Sequence, residues 1–330
     1  MIISRTPFRI SFFGGGTDYP DWYHEHGGAV LSTTFDKYCY ISARRLPPFF
    51  NHKYRITYSK VEDTRTIHEI EHPAVQAVLA ESGYTDGLEI HCDADLPARS
   101  GLGSSSSFVV GLLHSIQALL GNSPDKQWIA KEAIRIEQAV LGENVGSQDQ
   151  IAAAYGGFNL IEFHQSNSFN VSPVNLPLSR RQELEKHLML FFTGFSRIAS
   201  EVAKSKIANL HKKHAQLNRM RAQVDEALTL LRSDADIRIF GDMLHQTWID
   251  KRSLSEKVST DSIDAIYNRA RTAGAIGGKL LGAGGGGFLL IFATPEKHHS
   301  IRKALGELVT VPFQLEATGS QIGGNEWAEI

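Results

Sequence analysis

One stretch constrains this chain more than any other: Pro97-Ala98-Arg99-Ser100-Gly101-Leu102-Gly103-Ser104-Ser105-Ser106-Ser107, running directly into the apolar pattern Phe108, Val109, Leu112, Leu113, Ile116, Leu119, Leu120. Leu88 to Ala94 reads as a strand ahead of it, so the loop joins a strand to a helix. Glycines let backbone N–H groups converge on one anion, and the helix that follows adds free amides and the positive end of its dipole. Hydroxyls at such a turn can bond phosphate or ligate magnesium. The functional reading is a phosphate cradle built from Pro97, Ser100, Gly101, Leu102, Gly103, Ser104, Ser105 and Ser106. The alternative is a serine-rich linker, but linkers do not usually open a long amphipathic helix.

The segments around the loop read as two α+β domains, 1–175 and 176–330. Ile2 to Phe13 predicts a strand with Phe8, Ile10 and Phe12 on one face and Arg9, Ser11 and Phe13 on the other. Asp21-Trp22-Tyr23 predicts a turn or short helix, Ala29 to Leu46 one or two strands, and Pro73 to Glu81 a helix. A further helix is expected from Ser123-Pro124, with Ser123 as cap and a buried stripe at Ile129, Ala133, Ile136 and Val140. Glu137 edges onto that stripe, and a carboxylate there needs a partner. Glu143 to Gln150 reads as a polar loop. The boundary falls in the polar stretch 164–187. Beyond it come a strand at Leu188 to Phe192, one long amphipathic helix from Ala203 to Leu231 with a solvated basic face, and helices marked by Trp248 and by Ile263 and Ile266. The glycine cluster Gly274 to Gly287 then feeds a strand at Phe288 to Phe292, a helix over 295–308 and a last strand over 309–315.

Composition excludes several classes. A formal charge of -2 speaks against a general nucleic-acid surface. No apolar run is long enough to cross a bilayer, and the N-terminus lacks a signal-peptide pattern, so a cytoplasmic, non-membrane protein is expected, as monomer or homodimer. The two cysteines, Cys39 and Cys92, read as buried free thiols.

Gly14 to Gly16 alone could be a plain turn, and Gly284 to Gly287 a flexible hinge. Together with the central loop and a carboxylate-bearing segment they argue for a polyphosphate held between two domains. Neither a Walker loop nor a dinucleotide fingerprint is present. The three stretches resemble, in order, the motifs of the GHMP kinases: Thr6 to Tyr19, Pro97 to Ser107, and Lys279 to Phe288. The resemblance implies a ribosomal S5 domain 2-like N-terminal domain, a ferredoxin-like C-terminal domain, and ATP with Mg2+ as cofactors. By position, Ser105 and Glu137 match the metal-site residues and Asp149 the aspartate facing the acceptor hydroxyl. Arg9 matches the cation beside that aspartate. Asp18, with Gly15, Gly16 and Thr17, matches the sugar-binding segment, and Gly284 and Gly285 are assigned to substrate. Phe13 to Pro20 is most similar to bacterial sugar-1-kinases acting on D-glycero-D-manno-heptose 7-phosphate. That implies a sugar phosphate as partner and a place in activated-heptose synthesis for surface polysaccharide. The alternatives are a kinase for an unphosphorylated sugar, of L-fucose or galactose type, and a catalytically silent sensor. Galactokinase-like sequences carry Glu and His where Gly15 and Gly16 stand. A phosphorylated acceptor would need a second cationic pocket, for which the candidates are Arg44, Arg45, Lys53, Arg99, Arg197, Lys204, Lys251 and Arg252, the run Trp248 to Arg252 first among them.

Overall fold

The computed structural model describes residues 1–98, 100–194 and 199–323. Strand β1 (Ile2–Phe13) is extended, as its alternation predicts, but both of its faces are buried from Thr6 onward. A bulge between Ser11 and Phe13 breaks the simple alternation. Phe12 and Phe13 therefore both meet the ring of Phe240 edge-on, at 5.4 and 5.0 Å. After the glycine turn come α1 (Pro20–His26) and one long strand, β2 (Gly28–Arg45), paired antiparallel along β1.

The chain continues through β3 (Tyr54–Thr57), β4 (Val61–Thr64), α2 (Pro73–Glu81), β5 (Leu88–Ala94) and α3 (Ser104–Leu119). Next is α4 (Lys126–Arg135), whose cap is Asp125 rather than Ser123: the Asp125 carboxylate accepts the Trp128 N–H at 2.7 Å. The expected stripe fails at its end, because Ile136–Val140 winds as a π-turn, with Leu141 N–H reaching back to the Ile136 carbonyl at 2.9 Å. The extra residue per turn rotates the helix. Val140 is thrown outward, 40% exposed, and Glu137 is carried inward, 1% exposed. The stretch read as a polar loop ends in a helix, α5 (Gln148–Tyr155), followed by β6 (Phe158–Phe163) and β7 (Phe169–Pro173).

Then come α6 (Leu178–Lys186), β8 (Leu188–Phe192), α7 (Ala199–Asn209), α8 (His214–Leu231), α9 (Arg238–Ser253) and α10 (Asp261–Thr272). The single long helix expected from Ala203 to Leu231 is thus two, separated at Leu210–Lys212. The break lets Leu210 and Leu217 pack together with Tyr19 and Trp22. Strands β9 (Gly277–Leu280) and β10 (Phe288–Phe292) flank the last glycine cluster. Helix α11 (His298–Ala304) is shorter than expected, because a 3-10 turn occupies Pro295–Lys297 and the helix stops before Gly306. The expected final strand divides. β11 (Val309–Val311) pairs with β8, whereas β12 (Leu315–Glu316) and β13 (Gln321–Gly323) return to pair with β2 and β1.

Among the described residues there are two sheets. The first has nine strands and is mixed, with β3 and β5 parallel. The second is antiparallel, in the order β11-β8-β10-β9. Counted along the chain that is fourth-first-third-second, the ferredoxin-like order, so the architecture is the two-domain α+β expected. One hydrophobic core runs through both sheets, from Phe8 and Val109 to Phe240 and Phe292. Among the described residues no helix is long and apolar enough to cross a membrane.

Candidate active site

The central loop is closed by contacts only glycine permits. Gly101 and Gly103 have φ of +83° and +76°, and Gly103 caps α3. A Cβ on Gly282 would lie 2.3 Å from the Gly101 Cα, and one on Gly287 would lie 2.2 Å from the Ser100 carbonyl. The Phe288 N–H donates to that same carbonyl at 3.2 Å, and the Ser100 hydroxyl folds back onto the Pro97 carbonyl at 2.7 Å. The second and third glycine motifs are therefore one packed unit, and the Gly284–Gly287 stretch is part of it. Gly285 N–H bonds the Val258 carbonyl at 3.0 Å. Ser104, Ser105 and Ser106 form the first turn of α3, whose amides face out of the helix end where an anion is favoured.

The first motif is tied to the second through Arg9. Its backbone N–H donates to the buried Leu102, and its Nη1 to the Gly101 carbonyl at 2.8 Å. Its Nε and Nη2 make parallel bonds of 2.8 Å to the two oxygens of Asp149, in the first turn of α5. Arg9 is 4% exposed, whereas the Asp149 side chain is 24% exposed, so the carboxylate is the member of the pair that opens outward.

Beside this pair lies Glu137, delivered by the π-turn. Ser106 Oγ donates to its Oε2 at 2.7 Å, and the Gln150 amide donates to the same oxygen. Burial pushes its carboxyl up to about 7, against the hydrogen bonds from Ser106, Gln150 and Ser105. Ser105 itself is exposed at the start of α3. A buried carboxylate with no cationic partner at bonding distance among the described residues, next to an exposed hydroxyl, is an all-oxygen donor set suited to a hard cation such as Mg2+.

Asp18 also feels the charge of Asp149. Its Oδ1 accepts the Gly16 N–H and its Oδ2 the Gln148 amide, both at 2.8 Å. Burial raises its pKa, aided by the charge of Asp149 and opposed by those hydrogen bonds and by Lys206. Gly14, with φ of +81°, presses on β2, since a Cβ there would lie 1.9 Å from the Ala29 carbonyl. The Thr17 hydroxyl is held by the backbone of Gly14 and Ala29. A Cβ on Gly15 would lie in ordinary contact with Ser11 Oγ and Gln148 Nε2, at 3.6 and 3.7 Å. Among the described residues, Ser11 Oγ, Gln148 Oε1 and Gln150 Oε1 are buried without a hydrogen-bond partner.

Arg9, Asp149, Asp18, Glu137, Gly15, Gly16 and the central loop are thus brought into one site. Gly284 and Gly285 pack instead against Val258. Sequence reasoning missed Ser11, Gln148, Gln150 and the buried Lys206 and Lys279, and it named Lys251 only as a cationic-pocket candidate. Lys206, expected on the solvated face of a long helix, is 5% exposed, with its ammonium 5.5 Å from the centre of the Tyr19 ring and attracted by the charges of Asp18 and Asp149. Lys279 donates to the Phe12 carbonyl at 2.9 Å. Lys251 turns inward to the carbonyls of Leu280 and Gly282, at 2.6 and 2.7 Å, while Arg252 pairs with Asp264 at 2.6 Å. The Trp248 to Arg252 run therefore forms no shared cationic pocket. Arg44 and Arg45 pair with Glu89 and Asp86, Lys53 lies over the Tyr54 ring, and Lys204 is exposed. Arg99 and Arg197 lie outside the described residues.

Comparison with known proteins matches residues 67–157 to the GHMP kinases N terminal domain and residues 226–309 to the GHMP kinases C terminal domain. The D-glycero-alpha-D-manno-heptose 7-phosphate kinase of Campylobacter jejuni is 31% identical over 324 residues, 92% of this chain and 93% of the relative. The L-fucokinase/L-fucose-1-P guanylyltransferase of Bacteroides fragilis is 26% identical over 93% of this chain and 36% of its own length. The crystal structure of a D-glycero-D-manno-heptose 1-phosphate kinase from Bacteroides thetaiotaomicron superposes with a TM-score of 0.79 at 24% identity, covering 98% of this chain and 99% of that one.

Proposed function

The chain belongs to the GHMP kinases, and from that premise we propose that it transfers the γ-phosphoryl group of ATP to the anomeric C1 hydroxyl of D-glycero-D-manno-heptose 7-phosphate. The product would be the 1,7-bisphosphate, a precursor for activated heptose. The observation that carries the kinase chemistry is the Arg9-clamped Asp149 beside the glycine-lined end of α3. The heptose assignment is supported by the relative that shares 31% identity across nearly the whole chain.

The acceptor lies against Asp18 and Asp149, with Gly15 and Gly16 allowing close approach. Its C1 oxygen attacks the γ-phosphorus, the bond from that phosphorus to the β–γ bridging oxygen breaks, and ADP leaves. The hydroxyl proton passes to Asp149. A carboxylate offers about four lone-pair directions, and the bidentate Arg9 occupies two, so both oxygens retain one for this purpose. Arg9 also places positive charge next to the oxygen as negative charge grows there. Ser105 and Glu137 would hold Mg2+, which when bound neutralises charge spreading over the phosphoryl oxygens. In this reading residues 1–175 supply the nucleotide cradle and residues 176–330 the facing wall.

The test is direct. Purified protein with ATP and Mg2+ should release ADP in proportion to added heptose 7-phosphate, with a new anomeric phosphate in the 31P spectrum. The fucokinase relative favours a second reading, a free-sugar kinase. Turnover of L-fucose or galactose with none of the heptose phosphate would establish that reading in place of the first.

A further inference from the structure

The buried charges of the site do not all find partners. Arg9 is taken up by Asp149 and the Gly101 carbonyl, Lys251 by the carbonyls of Leu280 and Gly282, and Lys279 by the carbonyl of Phe12. Asp18 is held by two neutral donors, the Gly16 N–H and the Gln148 amide. Lys206, on α7, is left over. Among the described residues its ammonium has no hydrogen bond; its contact is the face of the Tyr19 ring, 5.5 Å away. An ammonium has three N–H bonds to give, and leaving them unmade in a buried site is costly.

We propose that Lys206 is the specificity-determining residue for the acceptor's own phosphate, donating to an anionic oxygen of that group when the sugar is bound. The proposal rests on the heptose-phosphate reading above. Two features favour an anion over a sugar hydroxyl as its partner. The polar atoms suited to hydroxyls are already present and separate: Asp18, with the unpartnered Ser11 Oγ and Gln148 Oε1 nearby. A buried ammonium whose three N–H bonds are unmade among the described residues is better satisfied by the several acceptor oxygens of a phosphate than by a single hydroxyl. A compact ammonium suits a phosphate as a point charge.

The experiment compares wild type, Lys206→Met and Lys206→Arg on heptose 7-phosphate and on the same heptose without its phosphate. Met keeps the apolar stem and removes the charge. Lys206→Met is expected to lose roughly ten- to a hundredfold in kcat/KM for the phosphorylated sugar, chiefly through KM, from the loss of a charge-assisted bond. Its activity on the unphosphorylated sugar should change less than about threefold, and Arg should restore part of the loss, because only the charge is at issue. Inorganic phosphate should compete with heptose phosphate in wild type and not in Lys206→Met. The melting temperature of Lys206→Met should not fall, because no internal hydrogen bond is removed. Equal losses on both sugars, or a variant that does not fold, would make Lys206 a structural counter-charge for Asp18 and overturn the assignment. Wild type inactive on the heptose phosphate would instead overturn the reading beneath it, so the two failures are told apart by the wild-type arm.

Discussion

Arg9 grips Asp149 with two parallel hydrogen bonds of 2.8 Å and uses its remaining nitrogen on the Gly101 carbonyl, also at 2.8 Å. One side chain thus fixes the carboxylate and the glycine loop relative to each other. The carboxylate is the half of the pair that opens toward a ligand. Asp149→Asn would keep the size of the group while removing its capacity to take a proton and turning an amide N–H toward the guanidinium. Turnover should fall by roughly 10²–10⁴, the range of positioned acid–base groups. ATP binding, read by thermal shift, should persist. An Asp149→Asn protein with full turnover would remove Asp149 from the proton's path.

Glu137 gives a pH signature. Its carboxyl stands near 7 because of burial, against 4.5 in an unfolded chain. Between those values the folded state holds a proton that the unfolded state has released. Its contribution therefore lowers stability as pH rises from 4.5 to 7, and the penalty persists above 7. Glu137→Gln should raise the melting temperature at pH 8 and change it little at pH 4.5. If Glu137 holds Mg2+, added Mg2+ should stabilise wild type more at pH 8 than at pH 6, since the ligand must be deprotonated. The same addition should do little for Glu137→Gln; undiminished Mg2+ stabilisation of that variant would exclude Glu137 as the ligand.

What the sequence discloses and what it hides divide along physical lines. Gly101 and Gly103 are legible because backbone conformation and close approach impose local patterns of residue type, whereas Asp18 and Arg9 are picked out by the resemblance of their motif to that of the GHMP kinases. Asp149 is legible as a residue but not as part of a helix, because α5 begins among polar side chains with no apolar stripe to announce it. Glu137 shows as an anomaly on a buried stripe. The π-turn that explains it depends on one extra residue per turn, which apolar spacing alone does not reveal. The burial of Lys206, Lys251 and Lys279 is invisible in sequence, because a lysine on an amphipathic helix or strand looks solvated until a second element covers it. The break at Leu210–Lys212 follows the same rule, since it is the packing of Leu210 and Leu217 with Trp22 that interrupts the helix.

Lys279 gives the opposite slope to Glu137 in an alkaline window. Burial, with repulsion from Arg9 and Lys206, brings its ammonium down to about 7, from 10.5. Between pH 7 and 10.5 the unfolded chain binds the proton that the folded protein has lost, so this residue makes stability rise with pH. One fully displaced proton is worth about 1.4 kcal/mol per pH unit. Urea unfolding at pH 7.5 and 9.5 should show wild type gaining on Lys279→Met over that interval. Lys251 is lowered by burial and by repulsion from Lys279 itself, so it is relieved in Lys279→Met and adds to the difference in the same direction. A constant difference between the two proteins would mean that Lys279 titrates as an ordinary surface lysine.

The packing of the second glycine motif on the third can be separated from the conformational demand of each. Gly282 and Gly121 both have positive φ, +69° and +82°. A Cβ on Gly121 would meet nothing within 4 Å, whereas one on Gly282 would lie 2.3 Å from the Gly101 Cα. Gly121→Ala therefore carries backbone strain alone, expected to cost about 1 kcal/mol in urea unfolding. Gly282→Ala carries the same strain and a backbone overlap that no side-chain rotation relieves, and should cost roughly 1–3 kcal/mol more. Because Gly101 must move to accommodate it, and Gly101 carries the carbonyl that Arg9 holds, Gly282→Ala should also weaken ATP binding while Gly121→Ala leaves it unchanged. Equal stability losses, with ATP affinity intact in both, would mean that the two glycine motifs do not need their close approach.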